Sequence, residues 1–195
     1  MKKRKEVFLK EHSVLTVMDQ VIFAALFDIF FAVFLFMAEK KIDHKRFIAV
    51  CWGMLLIWAG MVFYLAVFSR APRVRKVKVE LFWSYGKAIN GLKRGGFKYF
   101  RYCALNILVF VPFGMLVQRI CAGGAKALGI AILAGLFVSL AIETIQYAFH
   151  LGIFETDDLF SNTVGSALGA AVSAAAGHMR GGRRKANVPQ GGKTS

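Results

Sequence analysis

Residues Ala127–Phe149 read ALGIAILAGLFVSLAIETIQYAF, and this stretch decides the fold. At 1.5 Å per residue it would rise about 34 Å as a helix, enough to cross a hydrocarbon core of about 30 Å. Its one charged side chain is Glu143. A carboxylate near the middle of a membrane span costs about 2.5–3.5 kcal/mol on insertion scales, so it must face a partner or a wet cavity. Ser139, Glu143, Gln146 and His150 recur at helical spacing, which puts all four on one face. That polar stripe is the first place to look for function.

Four more apolar runs surround it. Phe47–Phe68 carries no charge, and Val21–Ala38 carries only Asp28. Tyr102–Gln118 contains Asn106 and Pro112, and Leu159–Ala176 is built from Ala, Gly, Ser and Val. The expected fold is all-α: a polytopic membrane bundle of about five transmembrane helices. With 57% hydrophobic residues, the chain is not an ordinary soluble domain. The basic start, Lys2–Lys5, would suit a signal peptide, but the first apolar run begins late and ends at Glu39-Lys40-Lys41 without a small-residue cleavage site. The net charge of +15 fits loops and tails beside anionic headgroups. No nucleic-acid motif accompanies it, so nucleic acid is not an expected partner. Cys51, Cys103 and Cys121 lack paired spacing and are expected to be small core residues.

Between the second and third runs, Ser69–Lys78 is a basic connector containing Pro72. Leu81, Phe82, Tyr85, Ile89 and Leu92 then recur at helical spacing, and Trp83 and Tyr85 are residues typical of the membrane interface. A short interfacial helix is expected here, ended by Gly91, Gly95 and Gly96. Three regions follow: residues 1–79 with two membrane helices, a helical core over 80–177, and a disordered basic tail over 178–195. The basic residues favour a cytoplasmic N-terminus, because ten of them lie in the second loop.

Polar groups continue in the later spans. Pro112 removes a backbone donor and opens a carbonyl further back in its helix. Asn162, Ser166 and Ser173 form a second stripe, and Gly165 and Gly169 make a GxxxG pair suited to close helix packing. This last helix is expected to dock against the Glu143 stripe. Glu155-Thr156-Asp157-Asp158 is an acidic turn, in which Asp157 and Asp158 suit the positive N-terminal end of the last helix. Its spacing matches no metal motif, no nucleophile–base set is present, and no cofactor is expected. The candidate polar pocket is Asn106, Glu143, Gln146, Asp157, Asp158 and Asn162.

Five pieces in order resemble the VanZ-like family of small bacterial membrane proteins. They are Phe82-Trp83-Ser84-Tyr85, Asn106 through Gly114, Glu143-Thr144-Ile145-Gln146, Phe154 through Leu159, and Asn162-Thr163-Val164-Gly165. The first span looks like an addition to that pattern. Many members carry an arginine just before the acidic turn, where this chain has Leu151-Gly152-Ile153. The resemblance implies a multi-pass protein of the cell membrane, with the aromatic segment and acidic turn facing outward. That arrangement puts the N-terminus outside, against the charge count, and is the one retained because long loops are weak topology determinants. It also implies a cell-envelope role linked to teicoplanin-type glycopeptide resistance. The expected partners are membrane lipids and a lipid-linked or cell-wall ligand held in the pocket. The alternatives are a membrane enzyme acting on an envelope lipid or glycan, with Glu143 as general acid or base and Asp157 and Asp158 holding a cation, and a small transporter.

Overall fold

The computed structural model describes residues 2–68 and 76–186, with side chains described over 19–67 and 76–177. The connector over 69–75 and the tail over 187–195 lie outside the described residues. Six α-helices occur among the described residues: α1 (Lys2–Lys41), α2 (His44–Phe63), α3 (Trp83–Lys93), α4 (Lys98–Ile120), α5 (Gly124–Ala148) and α6 (Thr156–Ala186). All except α3 contain a segment long and apolar enough to cross a membrane, namely Asp19–Lys41, His44–Val67, Lys98–Ile120, Gly124–Ala148 and Thr156–Gly177. The five expected spans are therefore present, and α3 is the expected short helix.

Local chemistry sets the helix ends. Asp43 caps α2, its carboxylate accepting the N–H of Arg46 at 3.2 Å. Helices α3, α4 and α5 all finish in the same paired turn. In α5, Leu151 N–H returns to Gln146 C=O and His150 N–H to Tyr147 C=O, with His150 left-handed at φ +59°. His150 therefore leaves the stripe it was expected to share, because the helix stops two residues before it. Gly95 takes the same left-handed position after α3, as the glycine cluster there requires. At the other end of the chain, α6 continues to Ala186, into the region expected to be a disordered tail from 178. No proline interrupts it before Pro189, and arginine and lysine are good helix formers favoured near a helix C-terminus.

The bundle is built around α4 and α6. Gly165 and Gly169 of α6 lie against the α4 backbone, where a Cβ would run into the carbonyl oxygens of Ile107 and Val111 respectively. Gly114 of α4 answers them, since a Cβ there would meet the Ser166 backbone. This contact brings two helix backbones together with no side chain between them. The GxxxG face thus packs on α4, where Ser173 Oγ also donates to Met115 C=O at 3.3 Å, while Ser166 and Asn162 beside it reach α5. Asn162 Nδ2 donates to Ser139 Oγ at 2.8 Å, and Ser166 Oγ to Ala131 C=O at 2.7 Å.

Helices α1 and α2 flank α4. Phe31, Leu35, Phe47, Cys51 and Leu116 form one apolar cluster, and Trp58, Phe110, Phe113 and Ala170 contribute to a second. The Trp58 indole donates to Val109 C=O at 2.8 Å, in the turn that Pro112 loosens. Asp28 is buried on α1, away from the polar cavity described below. Cys51 and Cys103 are buried and Cys121 is half-buried, all as free thiols.

The loops that follow α2 and α5 meet at one end of the bundle. There β1 (Val77–Lys78) pairs in parallel with β2 (Phe154–Glu155), with Val77 opposite Phe154. This small sheet was not expected from the sequence. It brings the aromatic α3 segment to the acidic turn.

Candidate functional site

Asn106, Glu143, Gln146, Asp158 and Asn162 line one cavity of about 180 Å³. Val62, Leu65 and Ala66, from the end of α2 and the π-helical turn Tyr64–Phe68 that follows it, form an apolar wall. Three helices supply the polar side. Asn106 comes from the middle of α4, Glu143 and Gln146 from the last turns of α5, and Asp158 and Asn162 from the first turns of α6. Glu143 and Gln146 are each 2% exposed, so the carboxylate of the fourth span points into the protein and away from acyl chains.

Four of these five groups, all but Gln146, are held by side-chain hydrogen bonds. Glu143 Oε2 accepts the backbone N–H of Glu155 at 3.0 Å, tying the end of α5 to β2. Asp158 accepts Asn106 Nδ2 at 2.8 Å and the Tyr102 hydroxyl at 2.6 Å. Tyr102 and Asn106 stand one helical turn apart on α4, so both reach the same carboxylate. That spacing was legible in the sequence, yet Tyr102 was not singled out. Asn162 is committed to Ser139, and so binds α5 to α6. These are bonds that a low-dielectric interior makes costly to lose.

Asp157 does not line the cavity. It is fully buried, and its carboxylate turns to α3. It accepts Phe82 N–H at 2.5 Å, Ser84 N–H at 2.8 Å and the Ser84 hydroxyl at 2.5 Å. Phe82 occupies the N-cap position of α3 with φ +64°, a left-handed conformation that a bulky residue adopts at a cost, and its side chain cannot cap. Asp157 therefore sits in the first turn of α6 but caps the neighbouring helix. Tyr85 adds a hydroxyl contact to Ser161 at 2.8 Å, and the Phe82 and Phe160 rings meet edge to face at 5.0 Å. The whole Phe82–Tyr85 segment is clasped to the start of α6. Burial pushes the Tyr85 phenol above its ordinary value, against the opposing effect of its bond to Ser161.

Glu155 completes the acidic end. Burial raises its carboxyl above the ordinary range, Asp158 adds to this, and Lys78 acts in the opposite direction. Among the described residues no group of three or more His, Cys, Asp and Glu side chains is arranged to hold a metal ion. The carboxylates are instead occupied by backbone N–H groups, hydroxyls and an amide.

A model of the VanZ/LLP1 family matches residues 47–176, taking in α2 as well as the expected 80–177 core and leaving α1 outside. The chain is 27% identical to Protein VanZ of Enterococcus faecium over 119 residues, covering 60% of this chain and 69% of that one. No solved structure matches significantly. The matched region holds every residue of the cavity and of the Asp157 clasp, and the chain belongs to the VanZ/LLP1 family of membrane proteins.

Proposed function

We propose that this VanZ-like protein works in the cell membrane by engaging the polar part of a lipid-linked or cell-wall ligand, and so contributes to teicoplanin-type glycopeptide resistance. The reading is carried by one observation: Asn106, Glu143, Gln146, Asp158 and Asn162 share one cavity beside an apolar wall. Carboxylates and amides accept hydroxyls and peptide N–H groups, while the wall suits an acyl or prenyl chain. A cavity of about 180 Å³ takes one small polar moiety of such a ligand and not the whole molecule. Its partners in this reading are membrane lipids and that ligand, without nucleic acid.

A second reading has one observation in its favour: two carboxylates, Glu143 and Asp158, line the same cavity. Such a pair can act as general acid and base on an envelope lipid or glycan. The test for both is Glu143→Gln, which keeps shape and most hydrogen bonding. With membrane insertion confirmed, loss of teicoplanin tolerance in the Gln variant supports a role for the ionisable group of Glu143. Unchanged tolerance in Glu143→Ala sinks both readings. If the purified Gln variant still retains envelope lipid or glycan but no longer alters it, the enzyme reading prevails.

A further inference from the structure

A second hollow lies beside the acidic end, also of about 180 Å³. It is lined by Trp83, Lys98, Tyr99, Arg101, Tyr102, Ile153 and Glu155, at the junction of α3, the start of α4 and β2. Its character is opposite to that of the first cavity. Lys78 Nζ stands 3.2 Å from the Trp83 ring centroid, and Lys87 Nζ stands 4.9 Å from the same ring and 5.2 Å from that of Tyr99. Lys98 and Arg101 line the hollow itself, so two cations lie over the indole and two more stand in the lining. None of the four is in a salt bridge among the described residues. Arg101 spends one N–H on Gln20 Oε1 at 2.8 Å, and a guanidinium carries five.

The indole supplies a second, independent signal. Trp83 Nε1 is buried and has no hydrogen-bond partner among the described residues. A buried donor without an acceptor costs about 1–3 kcal/mol, and native interiors rarely leave one so. Trp83 packs edge-to-face against Tyr99 at 5.8 Å. Interfacial tryptophans and lysines are common on membrane proteins. Here, in addition, four cations without a salt bridge among the described residues gather about one hollow whose lining tryptophan keeps an unsatisfied N–H.

We propose that this hollow is a binding site for a phosphate group, the anion of a membrane lipid headgroup or a free phosphoanion. Phosphate oxygens would accept the Trp83 N–H and the Lys98 and Arg101 donors, while Lys78 and Lys87 add charge across the aromatic faces. Glu155, the one carboxylate in the lining, accepts a hydroxyl attached to the phosphate. The inference does not rest on the acidic cavity having a ligand.

The test uses the purified full chain in uncharged detergent, titrated with dihexanoyl phosphatidylglycerol, dihexanoyl phosphatidylcholine and inorganic phosphate, and read by thermal unfolding and phosphorus NMR. The glycerol lipid should raise the unfolding midpoint more than the choline lipid does. Trp83→Phe, which keeps the ring and removes the N–H, and Lys98→Ala should each weaken its binding about fivefold. Lys41→Ala, at the opposite end of the bundle, should leave it unchanged. Protection by inorganic phosphate as well would assign the site to free phosphoanions, and protection by the lipid alone would assign it to headgroups. Equal binding of both lipids, or equal loss in Lys41→Ala and Lys98→Ala, overturns the proposal. Lys98 is exposed, so that variant decides the matter even if Trp83→Phe does not fold.

Discussion

Half of the apolar window of α4 is buried inside the protein, against 17% for α1, although α1 has the higher mean hydropathy, 2.6 against 1.8. Helix α1 shows Phe23, Leu26, Ile29, Phe30 and Val33 outward, as a helix does when lipid is its main neighbour. Helix α4 shows Asn106, Pro112, Gly114 and Gln118 inward, residues that lower hydropathy and that lipid would not satisfy. Hydropathy thus reports how readily a helix enters a membrane, while small and polar residues report what it packs against once there. The same contrast separates the α4–α6 seam, where backbones touch, from α2, whose Gly53 and Gly60 have open space around them.

The largest effect should come from that seam. Gly165→Ala forces a Cβ into the Ile107 carbonyl and should cost about 3 kcal/mol or more. Gly60→Ala on α2 meets nothing within 4 Å and should be neutral or slightly stabilising, since alanine favours helix over glycine by about 0.5–1 kcal/mol. Unfolding of the pair in a denaturing detergent measures the difference, and equal costs would erase the distinction between seam and periphery.

Next in size is the clasp on α3. Asp157→Ala strands the Phe82 and Ser84 N–H groups in a buried setting and should cost about 2–4 kcal/mol. Hydrogen exchange should then accelerate across Trp83–Lys93 before it does so in α4 or α6. Uniform acceleration would mean that α3 is not an independently released element.

A double-mutant cycle of Ser139→Ala and Asn162→Ala should give a coupling of about 0.6–1.7 kcal/mol, the range for hydrogen bonds between membrane helices. Zero coupling would show that α5 is held to α6 by packing alone. The smallest effect is the pH dependence from Glu155. Its folded-state value is raised above 4.5, so the folded protein keeps this proton to higher pH than the unfolded chain does. Stability from this group is therefore greatest below 4.5 and declines as pH rises through the raised value. Glu155→Gln should flatten that part of the stability profile, and an unaltered slope would assign it to another group.

Much of the plan was legible in the chain. Five apolar runs, two of them carrying a single acid, gave five spans, and the periodicity of Leu81–Leu92 gave α3. Glu143 pointed inward because a carboxylate has nowhere else to go in hydrocarbon. The glycines of α6 gave a close helix contact, though not the partner. His150 was misplaced because periodicity continues on paper past the residue where a left-handed turn ends the helix. The basic hollow was invisible because Lys78, Trp83, Lys98 and Arg101 are spread over three elements, with no spacing that marks them as neighbours.

Length, apolar content and the cost of a charge in lipid act on each segment separately, so the sequence alone determined the number of helices and which faces had to be satisfied. Which group satisfies which was decided by tertiary structure. The pairing of β1 with β2 and the glycine contact of α4 with α6 set who stands next to whom. Asp157 shows the reason most clearly. A carboxylate at a helix start suits its own helix, yet here it serves α3, whose uncapped N–H groups lie 73 residues and more away along the chain but within hydrogen-bonding distance in space.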